Sequence, residues 1–470
     1  MTADRIDLRA LASDRPVHFM GVGGAGMYPL AELLLRSGGK VSGCDMKDSR
    51  ALRDLAALGG VVCVGHDAVH AAEASALVTT AAVPADHPEL VAARAAGIPV
   101  LKRAEALGAW VSRGTVVGIA GTHGKTTTTA MTTEILAAAG MDPTGLVGGH
   151  VTGWSGNLRF GGGDLFVVEA DEYDRSFLTL SPDVAVVTNL EADHLDIYGD
   201  LDGVRQGFLD FLAGVRGGGR VIVCSDDHGA SAMLPSIGSA GYTYGTSAGS
   251  MLRATDVTVT AARTRCTVFE EGRAVGALEL RMGGRHNLLN ALGAAAASRA
   301  VGAEWVDIFR SLAAFAGVGR RLERLGEVGG VTVMDDYAHH PTEIAAALRA
   351  ARAMFGQARL VGVFQPHLFS RTRDFAREFG EALALADAVW VTDVFPAREA
   401  PIPGVTGQVI VDATRAAGAR EVHYVQALDS LANAVCEGVR YGDVVVTMGA
   451  GSIEVVGPAL IAALKEPVHA

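Results

Sequence analysis

Between Gly118 and Ala130 the sequence reads GIAGTHGKTTTTA, with Gly121 and Gly124 followed by Lys125 and four threonines. Where a strand passes into a helix, backbone N–H groups and the positive end of the helix converge on one point, a natural seat for an anion. Glycines keep side chains out of the way, a lysine adds a point charge, and the next hydroxyl can ligate magnesium. The commoner loop has four residues between its glycines, a register that would place Ile119 at the first. Here the pattern is the shorter Gly121-Thr122-His123-Gly124-Lys125-Thr126, with Thr127 behind it. Strand, glycines, lysine, threonines and helix follow in the order a phosphate loop requires. The expectation is an ATP site, against a chance glycine turn.

A triphosphate brings a divalent cation, and Mg²⁺, or Mn²⁺ in its place, takes hard ligands. Glu169 and His194 follow the apolar runs of DLFVVEADE and DVAVVTNLEADH, at strand ends where an open parallel sheet binds ligands. With Thr126 they make the expected metal set. Glu169 ends a buried run, where an unpaired carboxylate would be costly. Asp174, Asp193 and Asp196 read instead as helix caps or solvated loop charges.

Two further constellations stand apart. Gly21-Val22-Gly23-Gly24-Ala25-Gly26 fits Gly-x-Gly-x-x-Gly, with Met27 following and Asp45 closing the next strand, near where a ribose-binding acid would sit. Taken alone the run fits an NAD site or any diphosphate, and no hydride chemistry accompanies it. Pro29 sits early enough in the following helix to be tolerated. Further on, DDYAHHPTE and FQPHLFSRTRD each follow an apolar run. Adjacent His339 and His340 project in divergent directions, so substrate recognition is preferred to a shared metal or a solvated turn.

Alternating short β-rich runs and Ala/Leu-rich helices must position these groups, the rhythm of parallel-sheet α/β domains. A chain of 470 residues suggests about three domains at ~100–200 residues each. The expected divisions are 1–112, a Rossmann-like unit; 113–317, with a parallel sheet and a small antiparallel one; and 318–470, a second Rossmann-like unit. Residues 241–282 are expected to be antiparallel and peripheral, and AGVGRRLERLG to be a linker. With 52 acidic and 40 basic side chains the net charge is −12, which disfavours nucleic acid and anionic membranes. Five scattered cysteines without a Cys-x-x-Cys pair suit a reducing compartment. The opening residues MTADRIDLRALASDRPVHFMG contain no long apolar run, and no membrane-length window appears elsewhere. The expectation is a cytoplasmic protein, a monomer or weak homodimer, with no membrane insertion.

The motifs GVGGAGM, GTHGKTTTT, EADEYDRSFL, TNLEADHLDIYG, GRHNLLNALGA, GVGRRLE, DDYAHHPTE and FQPHLFSRTRD, in this order, closely resemble those of the bacterial Mur ligases, in the branch that adds L-alanine to UDP-N-acetylmuramate. The resemblance spans all three units and implies three α/β domains binding the UDP-sugar, ATP and the amino acid in turn. It assigns the ATP phosphates to Gly121–Thr127 with Lys125, the metal to Thr126 and Glu169, and a metal-linked role to His194. Asn287 and Asn290 would face the nucleotide, and Arg321 and Asp336 would also contact ATP. Gly23, Gly24, Ala25, Gly26 and Met27 would carry the UDP diphosphate, with Asp45 nearby. Tyr337, His339, His367 and Arg371 would shape the alanine and lactyl-carboxylate region, His339 being a candidate base.

Two departures are visible. Leu368 stands after Gln365-Pro366-His367 where the family often has arginine, and Met27-Tyr28-Pro29 stands where smaller residues are usual. YGDLDGVRQGFLDFL lacks the lysine that sister ligases carbamylate to bind a second metal, as befits the alanine-adding branch. The competing readings are a recycling ligase that attaches a murein tripeptide to the same sugar nucleotide and, from another class, an NAD-dependent oxidoreductase.

Overall fold

The computed structural model describes residues 6–80, 83–154, 156–238, 241–260, 263–397 and 399–465. Residues 1–5 of the opening segment and Ala261 and Ala262 of the 241–282 segment lie outside the described residues. Apolar runs such as Val17–Met20, Val184–Val187 and Val444–Met448 become central strands buried on both faces, as parallel sheets covered by helices require. The first sheet contains β1 (Val17–Met20), β2 (Val41–Asp45), β3 (Val61–Val64), β4 (Ala76–Thr79) and β5 (Val100–Lys102), in spatial order β3-β2-β1-β4-β5. All four pairings are parallel. The order reverses at β1, so the glycine loop after β1 opens into the crevice where such sheets bind ligands.

The second sheet has ten strands: β6 (Thr115–Ala120), β7 (Thr144–Leu146), β8 (Leu158–Arg159), β9 (Leu165–Glu169), β10 (Val184–Val187), β11 (Arg220–Cys224), β12 (Gly241–Gly245), β13 (Leu252–Val259), β14 (Thr264–Glu270) and β15 (Arg273–Leu280). β6 lies between β10 and β9, parallel to both. The expectation of an antiparallel segment over 241–282 needs correction at its start. β12 pairs parallel with β11 and begins β13 in parallel; its Tyr244 is fully buried. The hairpin character begins later, at β13–β14, where Thr260 N–H donates to Arg263 O and Glu271 N–H to Met251 O. It continues at β14–β15, where Glu271 and Gly272 have φ of 48° and 81°, the paired positive values of a tight hairpin turn.

The third sheet contains β16 (Glu323–Val328), β17 (Val331–Asp336), β18 (Leu360–Phe364), β19 (Ala388–Val391), β20 (Val422–Tyr424) and β21 (Val444–Met448), ordered β16-β17-β21-β18-β19-β20. Here the linker reading is also corrected. Its last four residues, Glu323 to Gly326, enter β16, an antiparallel edge strand on β17. Three of the strand's six residues are charged and none is fully buried, though Leu325 packs on the core, so its order comes chiefly from the neighbour's ladder.

By packing, the chain divides into two compact units. One comprises Met1–Val257, Arg265–Glu279 and Asn287–Phe315, and the other Thr258–Thr264, Leu280–His286 and Ala316–Ala470. Within the first unit a single apolar cluster runs from Leu8 to Met233 through both of its sheets. The helix Arg103–Val111 presses so closely on Thr179 that a Cβ at Gly108 would lie 2.3 Å from the Thr179 carbonyl oxygen. Thr179 Oγ1 donates to Ala104 O at 2.8 Å, and Arg9 reaches both Trp110 O and Asp164. In the second unit separate apolar clusters cover the two faces of the sheet.

Candidate active site

β6 ends at Ala120 and the helix Lys125–Ala138 begins five residues later, so residues 121–124 form the turn between them. Two glycines are required there by geometry. Gly124 precedes the helix with φ +78°, and a Cβ on it would stand 2.3 Å from Asn290 Oδ1; at Gly121, φ +141°, a Cβ would meet Thr188 Oγ1 at 2.0 Å. The neighbouring strand's continuation fastens the loop. His123 N–H donates to Asn189 Oδ1 at 2.7 Å, Thr188 Oγ1 donates to His123 O at 2.7 Å, and Glu191 N–H donates to Thr122 Oγ1 at 2.9 Å. Asn290, buried on the helix Arg285–Val301, therefore borders the loop, and Asn287 sits three residues earlier on the same helix face.

Lys125 Nζ donates to Gly121 O at 2.6 Å and to Thr122 O at 3.2 Å, and pairs with the buried Glu172 carboxylate at 2.9–3.0 Å. Burial opposes the lysine charge, but Glu172, Asp171 and Glu169 overcome it and hold the ammonium well above the usual lysine range. Burial pushes the Glu172 carboxyl up to about 7, against the pull of Lys125. Glu172 is also held through its backbone, whose carbonyl accepts from Tyr198 OH at 2.6 Å.

Glu169 is in register with Ile119 at the carboxyl end of β9. Its Oε1 accepts from Thr126 Oγ1 at 3.0 Å and its Oε2 from Gly148 N–H at 2.6 Å. The pairing that a carboxylate at the end of an apolar strand demands is thus supplied by the loop helix. Thr126 and Glu169 offer adjacent hard oxygens, which fits Mg²⁺. His194, at φ +52°, is brought to Glu172 Oε1 and Asp193 Oδ2, each 3.8 Å from its Nε2. Asp174 pairs with Lys102 and Asp196 is exposed in a first helical turn. Asp193 differs from the expectation of a solvated charge, being buried and accepting from His194 N–H at 2.8 Å.

At the first glycine loop Asp45 Oδ2 accepts from Gly23 N–H at 3.0 Å. That carboxylate holds the loop itself. Ala25 O accepts from Asn157 Nδ2 at 2.8 Å, and Gly24 N–H closes a turn onto Gly21 O. A Cβ on Gly26 would lie 3.1 Å from Arg103 Cδ, which places a guanidinium side chain beside Gly26 and Met27. Sequence reasoning passed over Arg103, since nothing in RAEALGAW marks it.

The second unit gathers most of its expected residues. Asp336, at the end of β17, accepts from Leu322 and Ala338 N–H groups, each at 2.8 Å, which sets Arg321 beside it. Burial pushes the Asp336 carboxyl up to about 6, with Arg321 opposing. The guanidinium groups of Arg320 and Arg321 lie 5.2 and 5.6 Å from the Tyr337 ring. His339 lies 5.3 Å from Tyr337 and 5.9 Å from His367, ring to ring. His340 turns away onto Phe375, as adjacent side chains should. Glu343, unremarked at the sequence level, accepts from His339 N–H at 3.0 Å and lies 3.2 Å from its ring nitrogen; its signal is the capping pattern that opens the helix Pro341–Phe355. Arg371 is buried in the short helix Phe369–Asp374. Leu368 before it is buried at φ +70°, its N–H donating to Phe395 O.

Comparison with known proteins bears on the whole chain. Family models described as the Mur ligase family catalytic domain, the Mur ligase middle domain and the Mur ligase glutamate ligase domain match residues 16–115, 119–298 and 320–451. A UDP-N-acetylmuramate--L-alanine ligase of Anaeromyxobacter sp. (strain Fw109-5) is 45% identical over 97% of this chain and 100% of its own length. That of Paenarthrobacter aurescens (strain TC1) is 46% identical over 95% and 97%. Among solved structures, a UDP-N-acetylmuramate-alanine ligase from Thermotoga maritima superposes with a TM-score of 0.79 at 29% identity, covering 96% of this chain and 99% of that one. A murein peptide ligase from Psychrobacter arcticus shares the fold, with a TM-score of 0.72 at 24% identity over 97% and 100%. With three family models matched in order along the chain and relatives above 40% identical over nearly its full length, the chain belongs to the Mur ligase family.

Proposed function

We propose that the protein joins L-alanine to the lactyl carboxylate of UDP-N-acetylmuramate, with cleavage of ATP to ADP and phosphate, in the assembly of peptidoglycan precursors. A carboxylate is a poor electrophile because its leaving group would be oxide. In the reaction a carboxylate oxygen bonds to the γ-phosphorus, the bridge to ADP breaks, and an acyl phosphate results. The neutral amine of L-alanine then attacks the acyl carbon. Phosphate leaves from the tetrahedral intermediate and the amine gives up a proton.

The observation that carries this reading is the loop Gly121–Thr126, with its glycine-only backbone, Lys125 and the Thr126–Glu169 oxygen pair, in a chain whose relatives bear that activity in their names. Phosphoryl transfer asks mainly for positioning and charge neutralisation. Lys125 and the loop amides would hold the ATP phosphates, bordered by His123, Asn287 and Asn290. Thr126 and Glu169 would hold Mg²⁺, with His194 placed through Glu172 and Asp193. When bound, that cation would neutralise charge on the phosphate oxygens. Arg321 and Asp336 are assigned to ATP, and Tyr337, His339, His367 and Arg371 to alanine and the lactyl carboxylate. Gly23–Met27 would receive the UDP diphosphate, with Arg103 as an added cation. The assignment carries with it domains near 1–112, 113–317 and 318–470, and a cytoplasmic setting where ATP and the sugar nucleotide are made. No helix among the described residues is long and apolar enough to cross a membrane.

The test is ADP release from Mg·ATP and UDP-N-acetylmuramate with L-alanine, glycine, L-serine or the murein tripeptide as acceptor. Turnover fastest with L-alanine, with the matching product mass, is expected. Preference for the tripeptide would make the protein a recycling ligase, and no acceptor-dependent turnover would refute ligation.

A further inference from the structure

The first sheet carries a second cluster of reactive side chains that the proposed ligation does not use. Cys44 on β2 and Cys63 on β3 are direct partners in the parallel ladder. His18 on β1 lies two residues before Met20, the register partner of Cys44, and so projects from the same face. Glu89, in the first turn of the helix Pro88–Ala95, reaches in from one side, and His66 and His70 from the turn after β3. Cys44 Sγ lies 3.4 Å from His18 Nε2, 3.1 Å from His66 Nδ1 and 3.4 Å from Glu89 Oε1. Glu89 Oε1 lies 2.9 Å from His70 Nδ1, and Glu89 Oε2 is 3.3 Å from His66 Nδ1. Cys44 and Glu89 are fully buried and His18 is 2% exposed.

A buried carboxylate needs donors, and Glu89 has them in the imidazoles and in Asp67 N–H at 2.9 Å. That need does not call for thiols. What the sheet assembles is a thiol, two imidazoles and a carboxylate, a mixed nitrogen, sulfur and oxygen set suited to zinc, drawn from four separate segments of chain. One donor atom from each of His18, Cys44, His70 and Glu89 lies within 4.8 Å of all the others. Donors on a tetrahedral zinc ion, at bond lengths of about 2.0–2.3 Å, stand roughly 3.3–3.8 Å apart, so small side-chain movements would close the set. His18 is already oriented: its Nδ1 meets Ser42 Oγ at 2.9 Å, and with Nδ1 donating there, Nε2 turns its lone pair toward Cys44, the outer-shell arrangement that positions metal-binding histidines.

We propose that His18, Cys44, His70 and Glu89 form a structural zinc site in the first sheet, separate from the magnesium site of the nucleotide loop. Four protein ligands, three of them buried and His70 partly so, give the closed coordination of structural zinc, with no position left for a substrate. The Cys44 thiol proton leaves as zinc binds, since the ligand is the thiolate. Bound there, zinc would tie together β1, β2, the turn after β3 and the helix Pro88–Ala95. Asp45, the residue after Cys44, carries the Gly23 N–H, so the site would also brace the glycine loop.

The test uses the full-length, untagged protein, purified without chelator and then loaded with Co²⁺ in place of zinc. One equivalent of tightly held zinc is expected, and in the cobalt form a thiolate-to-cobalt charge-transfer band with the visible bands of tetrahedral Co²⁺. Cys44→Ser and His70→Asn should each lose that band. Glu169→Gln, which alters only the nucleotide-loop site, should keep it. Circular dichroism checks that each variant is folded; His70 is partly exposed, so His70→Asn stands in should Cys44→Ser fail to fold. Zinc should raise the melting temperature of the native protein and leave that of His70→Asn unchanged. Native protein that shows no thiolate band, or a band that survives in folded Cys44→Ser or in His70→Asn, overturns the proposal.

Discussion

Lys125 and Glu172 form a buried ion pair whose members have different uses. The lysine is proposed to hold phosphate; the glutamate holds the lysine. Removing Lys125 should lower ADP release by about 10²–10³-fold, the usual cost of one preorganised charge donor. It should also destabilise the fold by about 3–5 kcal/mol, because a carboxylate is left buried without its cation. The pH dependence has a definite sign. The Glu172 carboxyl sits at about 7, above its ordinary 4.5, so its contribution to stability is fully present below 4.5 and is lost as pH rises through 7. Without Lys125 that loss deepens. Denaturant unfolding of Lys125→Ala should therefore show a small deficit near pH 5 and a large one at pH 8, and Lys125→Ala/Glu172→Gln should regain most of the stability and none of the activity. Equal deficits at both pH values would count against the buried pair. Lys125 was legible in the sequence because a lysine after a strand and two glycines has few other uses. Glu172 was not, because EADEYD offers several acids and only the turn of the chain after β9 selects the one that points inward.

At the scale of elements, the glycine loop works because a strand, a helix and a neighbouring strand leave it no room for side chains. Gly124→Ala meets both a left-handed backbone and Asn290 Oδ1, and should cost about 1–3 kcal/mol. Pairing it with Asn290→Ala removes the clash and should leave only the left-handed strain, about 1–2 kcal/mol. Thermal and denaturant unfolding of the two single variants and the double variant measure this coupling; strictly additive losses would show that the asparagine does not pack on the loop. Other left-handed residues, Asp174, Arg175, His194, Arg320, Leu322 and Leu368, also neighbour the candidate site residues, and such strain collects where a chain is bent to present function. Strand and helix existence was readable from apolar runs and caps. Of the two misread segments, β12 owes its parallel pairing to β11, well back along the chain, which no local pattern encodes. β16 instead pairs with the strand that follows it across Gly329-Gly330, at φ of 60° and 77°, a local hairpin signal that the linker reading overlooked.

For the whole molecule, the three-sheet architecture followed from the alternation of runs along the chain, but the sharing of a core did not. The cluster that links the first two sheets passes through Leu107, Trp110 and Val111, residues that periodicity alone assigns to a helix without naming its partner. Residues 318–470, with clusters of their own on both faces of the sheet, should fold cooperatively as a separate fragment, with about 5–10 kcal/mol of stability. Residues 1–112 alone should not, since that shared apolar face would be open to water. Calorimetry of the two fragments checks both statements, and a sharp transition from 1–112 would show that its core is self-sufficient. The proposal as a whole rests on where the triphosphate binds. A crystal structure with Mg²⁺ and a non-hydrolysable ATP analogue is the most direct measurement. The expected result has the β- and γ-phosphates on the amides of Gly121–Thr126, Lys125 on a phosphate oxygen, and the cation between Thr126 and Glu169. A nucleotide lodged elsewhere, with this loop unchanged and Lys125 still folded onto Gly121 and Glu172, would contradict it.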